Sequence, residues 1–252
     1  MDFMKHGTNQ RPTPFFITAP LPCPYLKGKV ERRMVAELVG RGATSLHDTL
    51  SKVGFRRSHG LIYAPICQDC SECLAVRTVV DQFSPSASQR RVLRANRRVI
   101  VSEQKAIATS EQFDLFSKYQ DSRHAGGDMA TMDLFDFQAL VEETPVQTFV
   151  QEFRTEHGQL IGTCLIDLMG DGLSAVYSFF DPDLKSESRG SYMILWLIKE
   201  AAQAGLDHVY LGYWISGCGK MDYKAKYQPM EVFVANTWLQ LRPEEFNNED
   251  YY

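Results

Sequence analysis

Between residues 147 and 180 the apolar residues follow the short period of strands, and on both sides of that block they recur at the three- and four-residue spacing of helices. The block reads as three antiparallel strands over 147–154, 159–168 and 173–180. Turns at His157-Gly158 and Gly170-Asp171-Gly172 join them, and Asp181-Pro182-Asp183 closes the third. Upstream, Phe113, Phe116 and Tyr119 mark a helix over 111–124, and Leu134, Phe137, Leu140 and Val141 mark another over 133–143. Downstream, a helix over 189–204 stops at Gly205 and gives way to a strand over 208–211.

That order of helix, helix, three antiparallel strands, helix and strand is the order of the acyltransferase fold shared by the GCN5-related N-acetyltransferases. An α+β fold with such a domain over residues 101–252 is therefore expected. In front of it, residues 11–100 read as a small mixed domain. It has a strand over 15–18, a helix over 44–53 closed by Gly54, and strands over 55–58 and 61–63 around a His59-Gly60 turn. These lead into a cluster of cysteines, and the domain ends in a helix over 88–98 whose stripe is basic instead of apolar. Arg90, Arg91, Arg94, Arg97 and Arg98 fall within about 120° of arc on that helix, which Ser84 or Ser86 would cap. A solvated face normally mixes signs. An all-arginine face favours a phosphate partner over plain solvent.

Composition narrows the classes. The chain has 252 residues, 44% of them hydrophobic, enough for a sizeable core. Its net charge of −4 argues against indiscriminate coating of nucleic acid, so the basic helix implies a directed contact. No apolar run is long enough to span a bilayer, and a cytoplasmic protein without a membrane partner is expected.

Three of the six cysteines form Cys67-x2-Cys70-x2-Cys73, and a fourth candidate, Cys23, lies between prolines. Such spacing brings sulfurs onto one side of a turn, as a structural zinc or iron–sulfur cluster requires. A redox dithiol and a plain packing role are the alternatives, and a reducing compartment disfavours disulfides. Cys164 falls in a strand pattern and reads as core.

In the acyltransferase fold the helix after the third strand aims its N-terminus at the phosphates of the acyl donor. Here that place is held by Arg189, Gly190 and Ser191, only a fragment of a coenzyme A loop. His124 ends the helix over 111–124, as a cap or as a site residue. The stretch from Gly212 to Tyr227, with Tyr213, Tyr223, Lys224 and Lys226, interleaves aromatics with lysines and suits either base stacking or a cover for the core edge.

Cys23-Pro24-Tyr25-Leu26, Gly54-Phe55-Arg56-Arg57-Ser58, the cysteine triad, Ser88-Gln89-Arg90-Arg91, Tyr177-Ser178-Phe179-Phe180-Asp181-Pro182 and Lys220-Met221-Asp222-Tyr223-Lys224 occur in this order. Together they resemble the aminoacyl-tRNA–protein transferases of the N-degron pathway, and most of all their bacterial aspartate/glutamate leucyltransferase branch. The resemblance implies transfer of leucine from leucyl-tRNA to the α-amine of proteins beginning with Asp or Glu. The ester already carries the required free energy, so the chemistry needs no cofactor. Tyr177, Ser178 and Asp181 become candidates for holding the amine and oxyanion, although Asp181 before Pro182 is equally a turn former. Arg90, Arg94, Arg97, Arg189, Gly190, Ser191, Tyr213 and Tyr223 become candidates for donor tRNA. Arg123, Lys224 and Lys226 become candidates for the acceptor's acidic residue. An arginyltransferase, a coenzyme-A-dependent N-acetyltransferase and a metal-stabilised RNA-binding module are the competing expectations.

Overall fold

A computed structural model describes residues 13–184 and 187–241. Its first part contains β1 (Phe15–Ile17), β2 (Leu21–Pro22), β3 (Val30–Glu31), β4 (Arg33–Glu37), α1 (Ala43–Ser51), β5 (Arg56–Ser58) and β6 (Leu61–Pro65). After the cysteines come β7 (Leu74–Val79), α2 (Ala87–Ala95), β8 (Ile100–Lys105), α3 (Ser110–Arg123) and α4 (Leu134–Glu142). The remainder is β9 (Thr148–Arg154), β10 (Leu160–Leu168), β11 (Gly172–Phe180), α5 (Arg189–Gln203), β12 (His208–Trp214), β13 (Met230–Val234) and β14 (Thr237–Leu241).

Three of the expected helices start at side-chain caps. Ser86 and Gln89 make a reciprocal capping box at the start of α2, as Thr109 and Gln112 do for α3 and Asp133 and Asp136 for α4. The basic helix ends earlier than the spacing suggests, so Arg97 and Arg98 lie in the turn beyond it. The three antiparallel strands and the helix and strand after them appear as β9, β10, β11, α5 and β12, within a mixed α/β architecture.

The sheets do not divide at residue 100. Eight strands form one sheet in the order β14-β13-β7-β12-β11-β10-β9-β8, with β7 deep inside it between β13 and β12. Thus a strand from the expected N-terminal unit completes the core of the C-terminal one. Its sequence, Leu74 to Val79, is largely buried on both faces and shows no alternation by which to recognise it. A second sheet, β1-β4-β6-β5, packs α1 against Ala36, Leu38 and Ile62. On one face of the large sheet α5 buries Met193, Leu197 and Ile198 with Phe153, Ile161 and Val209. On the other, α3 and α4 bury Phe116, Phe137 and Leu140 with Val150 and Phe179.

The two sheets are joined by a buried ion pair. Arg57 on β5 donates from Nε to Asp167 Oδ2 at 2.6 Å and from Nη2 to Asp167 Oδ1 at 2.8 Å. Thr148 donates to Oδ1 at 2.7 Å, and His47 Nε2 of α1 lies 3.5 Å from Oδ2. Burial, outweighing the nearby Asp167, holds the His47 imidazole below its ordinary pKa, so it packs there uncharged at neutral pH. Asp167→Ala leaves the Arg57 charge buried without a partner and is expected to cost about 3–5 kcal/mol. Breaking the more exposed Lys52–Asp48 pair (3.1 Å) with Lys52→Ala is expected to cost under about 1 kcal/mol. Urea denaturation of both variants checks the contrast.

Candidate active site

The large sheet opens at one place. β11 and β12 run parallel but pair only over Gly172–Ser174 and His208–Tyr210, after which both continue without pairing to each other. Each strand carries an irregularity at that level. Leu165 opposes Tyr177 and Ile166 opposes Ala175, which leaves Val176 as the extra residue of β11. Arg77 opposes Tyr210 and Val76 opposes Gly212, which leaves Leu211 as the extra residue of β12. Bulges bend strands, and two at one level turn a continuous sheet into a cleft.

Arg56 is wedged into the opening. Its guanidinium donates to Ala175 O at 2.6 Å and to Ser174 Oγ at 3.2 Å, binding backbone that β12 no longer pairs with. Gly212 makes room with a φ of +84°, and a Cβ there would stand 3.0 Å from the Arg56 Cζ.

The last turn of α3 forms one wall. Gln120, 1% exposed, donates from Nε2 to the Tyr177 hydroxyl at 2.5 Å, and its Oε1 is buried with no hydrogen-bond partner among the described residues. Burial raises the Tyr177 phenol well above its ordinary pKa, the Gln120 bond opposing. Tyr177 therefore keeps its proton at neutral pH and presents it as a donor. Tyr119 packs at 5.1 Å on the Phe180 ring, and the exposed Arg123 guanidinium lies 5.9 Å from the same ring. His124 is the C-cap of α3, with its backbone N–H on Gln120 O at 2.8 Å. Burial first, then Lys220 and Arg123, lower its pKa.

The helical turn Asp222–Lys226 forms the other side. Tyr223 is 43% exposed, and the Lys224 ammonium lies 5.8 Å from its ring. Lys224 is 6% exposed, donates to Tyr213 O and lies 3.2 Å from Met221 Sδ. Burial, with the Arg56 charge beside it, pushes its pKa down to about 7.

Several expected site residues are used differently. Asp181 accepts from Lys118 at 2.7 Å and from the Asp183 backbone N–H at 3.0 Å, so it fastens α3 to the end of β11 and caps a turn, the turn-former role that the sequence also allowed. Arg189 is turned inward onto Asn96 and Glu187, which removes it as a phosphate contact. Gly190 lies against Phe180, whose ring would stand 2.9 Å from a Cβ, so its smallness serves packing. Ser191 is bonded to Tyr227. Tyr213 is buried and its hydroxyl reaches Gly54 O at 3.0 Å and Tyr63 O at 3.1 Å, a clamp between the sheets instead of a donor surface. Lys226 is exposed, and its carbonyl accepts from Gln89 at 2.8 Å, which places it beside the basic helix and not with Lys224. Arg90, Arg94 and Arg97 are exposed, and Ser178 is half-buried opposite Cys164.

Cys23, Cys67, Cys70 and Cys73 line one cavity of about 270 Å³ with Tyr25 and Phe233. Burial and then the other three sulfurs push the Cys73 thiol up to about 12. The Leu26 N–H points to Cys23 Sγ at 3.4 Å, and Cys67 Sγ lies 3.9 Å from Arg32 O. Among the described residues no three of these or other ligand-type side chains stand in the arrangement of a metal site.

Arg56 and Gln120 have no role in the sequence reading. Both left a signal. Arg56 is the alternate of Arg57 on a short strand, so the pair must face opposite sides. Gln112, Phe116 and Gln120 follow the four-residue step of the buried stripe of α3, where a glutamine needs a reason.

The family models for arginine-tRNA-protein transferase match residues 21–91 for its N terminus and 111–234 for its C terminus. An aspartate/glutamate leucyltransferase of Paramagnetospirillum magneticum is 52% identical over 240 residues, covering 95% of this chain and 98% of that protein. One of Rhodospirillum rubrum is 50% identical over 237 residues, covering 94% and 96%. The crystal structure of FemX superposes with a TM-score of 0.52 at 11% identity, covering 80% of this chain and 69% of that one, and shares the fold. The chain belongs to the aminoacyl-tRNA–protein transferase family.

The depressed Lys224 pKa has a consequence for stability. An unfolded lysine titrates near the ordinary value of 10.5, so between about pH 7 and 10.5 the unfolded chain binds the extra proton. Stability at this residue therefore rises with pH across that window and is flat below it. Replacing it, Lys224→Met, is expected to remove the rise, read as urea midpoints at pH 6.5, 8 and 9.5 for both proteins.

Proposed function

We propose that this chain is an aspartate/glutamate leucyltransferase, which moves leucine from leucyl-tRNA to the α-amine of proteins beginning with Asp or Glu. The observation that carries the reading is identity near 50% over almost the whole length of relatives bearing that name, joined to a sheet opened by two bulges. The finer fold reading is a GCN5-related N-acetyltransferase-like domain whose split strands hold the reacting ends of both substrates.

In this mechanism the acceptor amine, in neutral form, attacks the ester carbonyl. The developing oxyanion takes a hydrogen bond from the Tyr177 hydroxyl, whose proton is retained by burial and whose orientation is fixed by Gln120. The C–O bond to the terminal ribose then breaks, and the proton lost by the amine passes to the ribose oxygen. Lys224, with a pKa of about 7, suits this proton relay better than a permanent grip on a carboxylate. Arg123 and Arg56 present guanidinium forks that suit the acidic first residue of the acceptor. Arg90 and Arg94, exposed on α2, and Arg97, exposed in the turn after it, suit the acceptor end of the tRNA. No helix among the described residues is long and apolar enough to cross a membrane.

The test is one transfer assay with total charged tRNA and peptides beginning with Asp, Glu or Ala, each amino acid labelled in turn. Leucine on the Asp and Glu peptides is expected. Arginine in its place would make the chain an arginyltransferase, and equal labelling of the Ala peptide would reject acceptor selection. In the same assay Tyr177→Phe is expected to lower kcat by about 10²–10³ with KM little changed.

We propose further that the four cysteines, no three of which stand in the arrangement of a metal site in this structure, would close by side-chain rotation on a structural zinc ion or an iron–sulfur cluster that supports the fold and takes no part in transfer. Four thiols around one cavity supply the soft donors such groups need. Metal analysis of protein purified without oxygen should find one site per chain, and Cys73→Ser should lower both occupancy and Tm. Undiminished Tm with no bound metal would return the cavity to plain packing.

A further inference from the structure

A second cavity, of about 370 Å³, lies between α2, β8 and α5, apart from the cleft and the cysteines. Leu93, Val99, Val101, Tyr192 and Trp196 make its floor, and Arg97 and Lys199 stand exposed at its rim. Tyr192, Trp196 and Lys199 follow the four- and three-residue steps of α5 and so share one face of it. Trp196 is half-buried and fixed by Phe153, ring to ring at 5.5 Å and 85°. A ring already held in place loses little freedom when something stacks on it.

The surroundings narrow the occupant. Arg90, Arg91 and Arg94 extend the positive rim along α2, all exposed, on a chain whose net charge is −4. Arg98 has Glu156 at 3.7 Å, a pair open to water on both sides and therefore weak. An aromatic and aliphatic floor beneath a cationic rim matches a planar base carrying phosphates. A base inside a duplex is paired and stacked, and its flat face is not available to Trp196.

We infer that this groove binds an unpaired nucleotide of the tRNA, its base on Trp196 and its flanking phosphates on Arg97 and Lys199, while the outer arginines of α2 follow duplex. The inference rests on the tRNA reading above and adds a single-strand site to it.

The experiment compares a labelled single-stranded RNA hexamer with a blunt RNA duplex of equal phosphate number, each titrated against the full chain. Trp196→Ala is expected to weaken the hexamer about 5- to 150-fold and leave the duplex unchanged, with Trp196→Phe keeping most of the affinity. Lys199→Ala should flatten the salt slope of hexamer binding by about one unit, and Arg90→Ala with Arg94→Ala should flatten that of the duplex. If Trp196→Ala melts early, the Lys199→Ala slope and the Trp196→Phe affinity decide. Unchanged hexamer binding in a stably folded Trp196→Ala, equal loss on the duplex, or a mononucleotide bound as tightly as the hexamer would overturn the inference. Transfer assays separate the two readings: Trp196→Ala should raise KM for leucyl-tRNA with kcat kept. Leucine transfer with an unaltered KM rejects the groove alone, whereas Trp196-dependent hexamer binding without leucine transfer rejects the donor and leaves the groove.

Discussion

Two adjacent arginines on a three-residue strand hold this molecule in its working shape. Successive side chains of a strand face opposite ways, so β5 sends Arg57 into the buried pair with Asp167 and Arg56 into the opening between β11 and β12. The first contact fixes where the small sheet sits on the large one. The second satisfies the Ala175 carbonyl that the diverging strand leaves behind, which a buried backbone group requires. A register slip of one residue in β5 would exchange the two and lose both.

The cleft depends on that wedge and on the bulges at Val176 and Leu211. Around it stand groups whose properties come from being removed from water: a phenol that keeps its proton, a lysine that readily gives one up, and a glutamine that fixes the phenol. Arg56 contributes to the second of these directly, because its charge next to Lys224 adds to the effect of burial. One residue thus helps open the sheet and tune its chemistry.

The basic face is built from separate parts of the chain. Gln89, inside the capping box of α2, also donates to Lys226 O, so the start of the helix is tied to the turn that carries Lys224. Asn96 and Glu187 meanwhile engage Arg189 and join the end of α2 to the start of α5. The cation that the sequence offers to a phosphate is consumed in holding two helices together.

The sequence by itself determined the elements whose information is local. Capping boxes at Ser86, Thr109 and Asp133, with a basic stripe behind the first and apolar stripes behind the other two, define α2, α3 and α4, and the alternating block defines β9 to β11, because caps and periodicity act within a few residues. Motifs in order along nearly the whole chain also carried the family. Only the tertiary structure decided that β7 belongs inside the large sheet, that Tyr213 and Arg189 are internal, and that Arg56 and Gln120 face the cleft. Those outcomes turn on which partner, 90 or more residues away for most of them, removes each group from water, and spacing along the chain does not record it.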